Sequence, residues 1–223
     1  LKIANHLAHI ARHYVRVGAV EMAEIDALCR KLDPKEPRTM GRRNRDRLDQ
    51  FDDAENVRRL LDFPRAEAAR ACRLANPLRR AKGMERALAV SLLISTGLRI
   101  KNLRSIHLTR NLRRTAARVF VVFDRTESKN GTDLEIELPV ETVALLDRFL
   151  TDFRADIPGQ DGPYLFPGQD GGPKSDNAMR QAVNASLRKW TGLTVSPHLF
   201  RHIIAKIVVE RDPSLYVAVS RHL

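Results

Sequence analysis

Four residues of this chain are of the types needed to handle a phosphodiester. Arg99 closes Thr96-Gly97-Leu98-Arg99, Lys129 lies in Ser128-Lys129-Asn130-Gly131, and His198 and Arg201 share Pro197-His198-Leu199-Phe200-Arg201-His202. Arginine keeps its charge and can bind two oxygens of one phosphate. Lysine or histidine can carry a proton to a departing oxygen. Together they would suit the transition state of phosphoryl transfer. No carboxylate cluster accompanies them, so side chains rather than a metal ion would balance the charge on phosphate.

These residues need elements to hold them. The apolar run Ala87, Leu88, Val90, Leu92, Leu93 and Ile94 predicts a helix over 82–94, buried on most sides and stopped at Thr96-Gly97. Val119 to Phe123 reads as a strand, and Leu134-Glu135-Ile136-Glu137-Leu138 alternates with period two. Lys129-Asn130-Gly131 between them carries a hairpin-turn signal, so a small antiparallel sheet is expected with Lys129 at its turn. Pro197 is expected to fix the start of a helix with Ile203, Ile204, Ile207 and Val208 as its apolar stripe. His198 would then lie in the first turn, near the positive helix end. His198 and Arg201, at i and i+3, would share a face.

The remaining stretches read more simply. Residues 1–31 are helix-like, with Ile3, Leu7, Ile10, Val17, Met22, Ile25 and Leu28 as apolar positions, and Asp33-Pro34 and Glu36-Pro37 end them. Residues 38–47 hold five arginines and one acid, which reads as a linker that straps DNA through Arg42, Arg43 and Arg45. Phe51 to Asn56 reads as a capped helix start feeding Val57, Leu60 and Leu61, so a second domain is expected from residue 48. Val140–Arg154 reads as helix, 156–173 as a Pro- and Gly-rich loop, and Ser175 and Asp176 as caps of a helix to Trp190. Asp212-Pro213 is a break, with a further helix from Leu215 to His222.

Charge points to the partner. The net charge is +12, with a pI near 10.4, which favours a polyanion. Residues 99–118 carry seven basic residues and no acid, with Lys101, Arg104, Arg110 and Arg113 the expected DNA contacts. Cys29 and Cys72 have neither disulfide-framework nor zinc-ligand spacing, which fits a reduced cytoplasm. No signal peptide or membrane-spanning run is seen. His6, His9 and His13 lie at i, i+3 and i+7, but without a partner carboxylate or Cys they read as a packed or solvated face, so no metal is expected.

The motifs together resemble the tyrosine recombinases, or phage-type integrases, over roughly residues 48–223. That family has an Arg in a T-G-x-R turn, a hairpin Lys, an H-x-x-R motif, a G-H pair and then a nucleophilic Tyr. The first three are present; Asn102 stands where the family usually has an acid three residues after its first Arg. The second histidine and the Tyr would follow Leu223, since Tyr216 falls too soon after Arg201 and His222 fits the place before an L-G-H. The resemblance implies a mainly α fold with a small antiparallel β-sheet: a catalytic domain over 48–223, preceded over 1–47 by the end of a helical DNA-clamping domain and its linker. It implies site-specific cleavage and rejoining of double-stranded DNA through a 3′-phosphotyrosine. Arg99 and Arg201 would hold the non-bridging oxygens, His198 would assist, and Lys129 would protonate the 5′ oxygen, with no cofactor and no metal. It implies a homotetramer on DNA in the cytoplasm, at the nucleoid, built from a chain that can be monomeric in solution. Two other readings stand beside it: a DNA-binding regulator or inactive relative with the same fold and no chemistry, and a type IB topoisomerase, which uses a similar constellation.

Overall fold

The computed structural model describes residues 2–32, 41–127, 133–196 and 199–215. The chain divides into two compact units, Leu1–Gly41 and Arg42–Leu223.

The first unit is a helical hairpin. Helix α1 (Lys2–Ile10) runs into a wide turn at Ala11–Val15, and α2 (Ala19–Leu32) returns. The predicted single helical stretch is thus broken at residues 16–18, where Arg16 takes a left-handed φ of 56°. Arg12 Nη2 bridges both Asp26 carboxylate oxygens at 2.9 Å. The Cys29 thiol donates to the Ala4 carbonyl at 3.6 Å. The expected apolar positions Ile3, Leu7, Ile10 and Leu28 are exposed. Asp33-Pro34 and Glu36-Pro37 lie outside the described residues.

The second unit opens with α3 (Arg42–Asp49), a helix where composition suggested a linker. Arginine is a good helix former, so an exposed arginine-rich run can coil without burying a face. A 3₁₀ turn over Gln50–Asp52 then inserts Phe51 into the core, and Asp53 caps α4 (Ala54–Cys72) by accepting the Glu55 amide at 2.8 Å. Helix α5 (Pro77–Thr96) starts on Asn76, with Pro77 at its first position. Ala87, Leu88, Ala89, Val90, Leu92 and Leu93 are all fully buried, so α5 is the axle of the unit. Short α6 (Ile100–Arg104) follows, then a three-stranded antiparallel sheet in the order β1 (Leu112–Arg114), β2 (Val119–Phe123), β3 (Leu134–Glu137). Val119, Val121 and Phe123 face the core; Phe120 and Val122 face outward.

Helices α7 (Val140–Asp152) and α8 (Asp176–Thr191) flank α5. The loop between them is organised by Arg154, whose guanidinium donates to the carbonyls of Gln160, Gly162 and Tyr164 at 2.6–2.8 Å. Helix α9 (Phe200–Arg211) packs Phe200 and Ile203 inward. A 3₁₀ turn at Pro213–Leu215 follows, and the helix expected from Leu215 to His222, with Tyr216, extends outside the described residues. Among the described residues no helix is long and apolar enough to cross a membrane. Nor does any group of three His, Cys, Asp or Glu among them sit where it could hold a metal ion. The architecture is mainly α with one small antiparallel sheet, as the motifs implied.

Candidate active site

The site begins at the end of α5. Thr96 turns its hydroxyl back onto the Leu92 carbonyl and accepts the Leu98 amide at 3.3 Å. Gly97 ends the helix with φ 60°, and its amide donates to the Leu93 carbonyl at 3.0 Å. A left-handed residue here suits glycine, which has no Cβ to crowd the following carbonyl. The turn carries Leu98 into the core and delivers Arg99, half-buried, to the cap position of α6. Asn102, three residues on, is buried in α6.

Arg201 arrives from the other end of the unit. The amide of Leu199 donates to the Ser196 carbonyl at 2.8 Å and that of Ile203 to the Leu199 carbonyl at 2.9 Å, so a turn precedes α9 and the helix begins at Phe200. Arg201 stands in the first turn of α9, while Pro197 and His198, expected at the start of this helix, lie outside the described residues. Leu199, Phe200 and Ile203 are buried, which fixes α9 against α5 and turns Arg201 toward the Gly97 turn. Arg201 Cγ lies 4.0 Å from where a Cβ would stand on Gly97.

The Arg99 charge reaches Arg201. The Arg201 guanidinium is held below its ordinary value, first by burial and then by repulsion from Arg99. Two half-buried like charges gain most from an anion between them, because it offsets both the desolvation and the repulsion. His202 is the next residue. Its imidazole is also lowered, by burial and then by the Arg201 charge, although the residue as a whole is exposed; packing about the ring disfavours the imidazolium. Lys129 and His198, the other two residues expected here, lie outside the described residues.

The expected DNA contacts differ in their surroundings. Arg42, Arg43 and Arg45 are exposed along α3, Lys101 on α6, and Arg110 in the turn before β1. Arg104 is half-buried instead; its Nη1 donates to the Lys174 carbonyl at 3.3 Å, and its buried Nε has no hydrogen-bond partner among the described residues. Arg113 is exposed but pairs with Glu135 and stacks 5.0 Å from the Phe120 ring centre. Arg118 pairs with Glu137, and Arg114 with Asp147. The acid-free run 99–118 is therefore partly neutralised by carboxylates from β3 and α7. Lys174 forms an ion pair with the buried Glu85 of α5, so with Arg104 it ties the α6 end and the α8 approach to the axle helix.

The XerH site-specific recombinase bound to a palindromic difH substrate, a post-cleavage complex, matches with a TM-score of 0.55 at 16% identity, over 74% of this chain and 43% of that one. The XerH pre-cleavage complex on difH matches at 0.55 and 16%, over 73% and 43%. The chain therefore shares their fold and spans less than half of their length. No curated protein matches it. The model of the phage integrase family matches residues 52–218, which include the Gly97 turn, Arg99 and Arg201, and the chain belongs to that family.

Proposed function

We propose that the protein is a site-specific recombinase that breaks and rejoins double-stranded DNA by transesterification. The observation that carries this reading is the convergence of Arg99 and Arg201 on the Gly97 turn, where burial and then the Arg99 charge hold the Arg201 guanidinium below its ordinary value. Such a pair is suited to the two non-bridging oxygens of one scissile phosphate and to the charge that grows on them. Family membership supports the same role, and the XerH neighbours are recombinases held on DNA substrates.

In this reading a tyrosine hydroxyl attacks phosphorus, the bond to the 5′ oxygen breaks, and a 3′-phosphotyrosine forms. Lys129 gives its proton to the leaving 5′ oxygen, and His198 hydrogen-bonds the phosphate and takes part in proton transfer. A 5′ hydroxyl then attacks the phosphotyrosine, and the tyrosine leaves. The number of phosphodiester bonds is unchanged, so no nucleotide energy source is consumed. Duplex DNA is the substrate, α3 and the Arg99–Arg118 stretch supply phosphate contacts, and a homotetramer assembles on the DNA at the nucleoid. The helical hairpin over Leu1–Gly41 is the end of a DNA-clamping domain.

The test starts with protein expressed from its full reading frame. A duplex it selects from a random-sequence library is nicked near the selected site, so that cleavage traps the covalent complex. The expected result is a protein–DNA adduct that resists denaturant, with one tyrosine carrying the DNA 3′ end. Tight binding with no adduct would leave a DNA-binding protein without chemistry. Relaxation of supercoils without site preference would indicate a topoisomerase.

A further inference from the structure

The segment that brings in Arg201 is also held by Gln50 and Asp52. Phe51 is buried at 1% exposure, and it anchors the 3₁₀ turn Gln50–Asp52. In such a turn successive side chains point about a third of a circle apart, so an anchored Phe51 sends Gln50 and Asp52 to either side. Both reach the far end of the unit. The Gln50 amide donates to the Thr194 carbonyl at 3.0 Å and accepts the Thr194 amide at 3.2 Å. This two-bond pairing imitates a neighbouring strand and fixes the backbone that leads into α9. Asp52 forms an ion pair with Lys206 of α9, whose ammonium is held above its ordinary value, chiefly by that bond, and also meets Glu210 at 3.1 Å. Gln50 is in turn held at its own carbonyl by the Asn56 side chain at 2.9 Å. Arg201 lies between the two fastenings, seven residues after Thr194 and five before Lys206. Helix α3, with Arg42, Arg43 and Arg45, runs directly into Gln50.

We propose that Gln50 and Asp52 are positioning residues: they fasten the Thr194 backbone and Lys206 so that Arg201 is held opposite Arg99, and they join the arginine helix α3 mechanically to that site. The proposal rests on the recombinase reading for its effect on chemistry, and on geometry alone for its effect on α9. Nothing in it requires Gln50 or Asp52 to touch DNA or reacting atoms. A displacement of about an ångström at a catalytic group can cost as much as a hundredfold in rate, so loss of a fastening is expected to lower turnover without lowering affinity.

The test uses full-reading-frame protein and three variants, Gln50→Ala, Asp52→Asn and Asp52→Glu. Gln50 is half-buried and Asp52 is exposed, so all three are expected to fold. Two quantities are read: the rate of adduct formation at saturating nicked duplex, against the Kd for the same duplex, and backbone hydrogen exchange over residues 199–205. Gln50→Ala and Asp52→Asn are expected to slow adduct formation about tenfold with Kd unchanged. They are also expected to speed exchange in 199–205 about tenfold while 84–93 of α5 stays as protected as before. Asp52→Glu, which keeps the ion pair, restores both. Adduct formation at the wild-type rate, or unchanged exchange in 199–205, overturns the proposal. A parallel loss of Kd and rate would make these residues DNA contacts and overturn it as well. If wild-type protein forms no adduct, the recombinase reading fails by itself, and the exchange readings still decide whether Gln50 and Asp52 hold α9.

Discussion

Arg201 lies across the glycine turn that delivers Arg99, its Cγ 4.0 Å from the place a Gly97 Cβ would occupy. The contact distance is ordinary, so the cost of Gly97→Ala comes from the backbone, whose φ is 60°. A non-glycine residue in that conformation loses roughly 1–2 kcal/mol. Chemical denaturation of Gly97→Ala is expected to show a loss of that order, and equal stability would mean that the turn relaxes freely.

At Gly83 helix propensity and packing oppose each other. Alanine in mid-helix is favoured by about 1 kcal/mol over glycine. Yet a Cβ there would stand 2.6 Å from Ala71 Cβ, where α4 and α5 meet. Overpacking of this kind costs about 1–3 kcal/mol, so Gly83→Ala is expected to destabilise. Adding Ala71→Gly should recover part of the loss. Denaturation of the single and double variants decides, and a stabilised single variant would show that the crossing has room.

The fold is legible wherever a local pattern carries it. Helix α5 follows from its run of buried aliphatics and the glycine behind it, β2 from its run of valine and phenylalanine, and β3 from alternation. Strand β1 does not, because Leu112-Arg113-Arg114 owes its extended form to pairing with Val119–Val121. The apolar stripe of α9 is legible in Ile203, Ile204, Ile207 and Val208, of which Ile203 is fully buried. The basic run 99–118 contains no acid of its own, yet Glu135, Glu137 and Asp147 approach it from elements distant in sequence. Nor does any spacing show that Arg99 and Arg201 meet; that expectation came from resemblance to a family. The Gln50–Thr194 pairing has no sequence signature, since a glutamine that imitates a strand looks like any surface glutamine.

His202 gives the site a pH dependence. Its folded value lies below the usual imidazole range, so the folded protein resists its protonation. At pH above the ordinary 6.5 both folded and unfolded forms are neutral and this contribution is fully present. As pH falls through 6.5 the unfolded chain takes the proton first and stability declines, levelling off below the lowered folded value. NMR titration is expected to place His202 below 6.5, and Arg201→Gln should raise it by removing the second of its two causes. A titration unaffected by Arg201→Gln would mean that burial alone sets it.

Arg154 holds the α7–α8 loop by three carbonyl bonds that a lysine cannot reproduce, since its single ammonium lacks the planar fork. Arg154→Ala is expected to cost on the order of 2–3 kcal/mol by leaving these acceptors unpaired. Arg154→Lys should recover only part. A lysine variant as stable as the parent would show that the carbonyls find water without loss.

The most direct test of the whole account is Arg201→Ala in full-reading-frame protein, comparing covalent adduct formation with DNA affinity on the selected nicked duplex. One arginine among many phosphate contacts adds little to binding but much to the transition state. The expected result is a loss of adduct formation by a factor of about 10² or more, with Kd changed by less than about tenfold. Adduct formation at the parental rate, or a loss of affinity as large as the loss of rate, would contradict the assignment of Arg201 and Arg99 as the phosphate clamp.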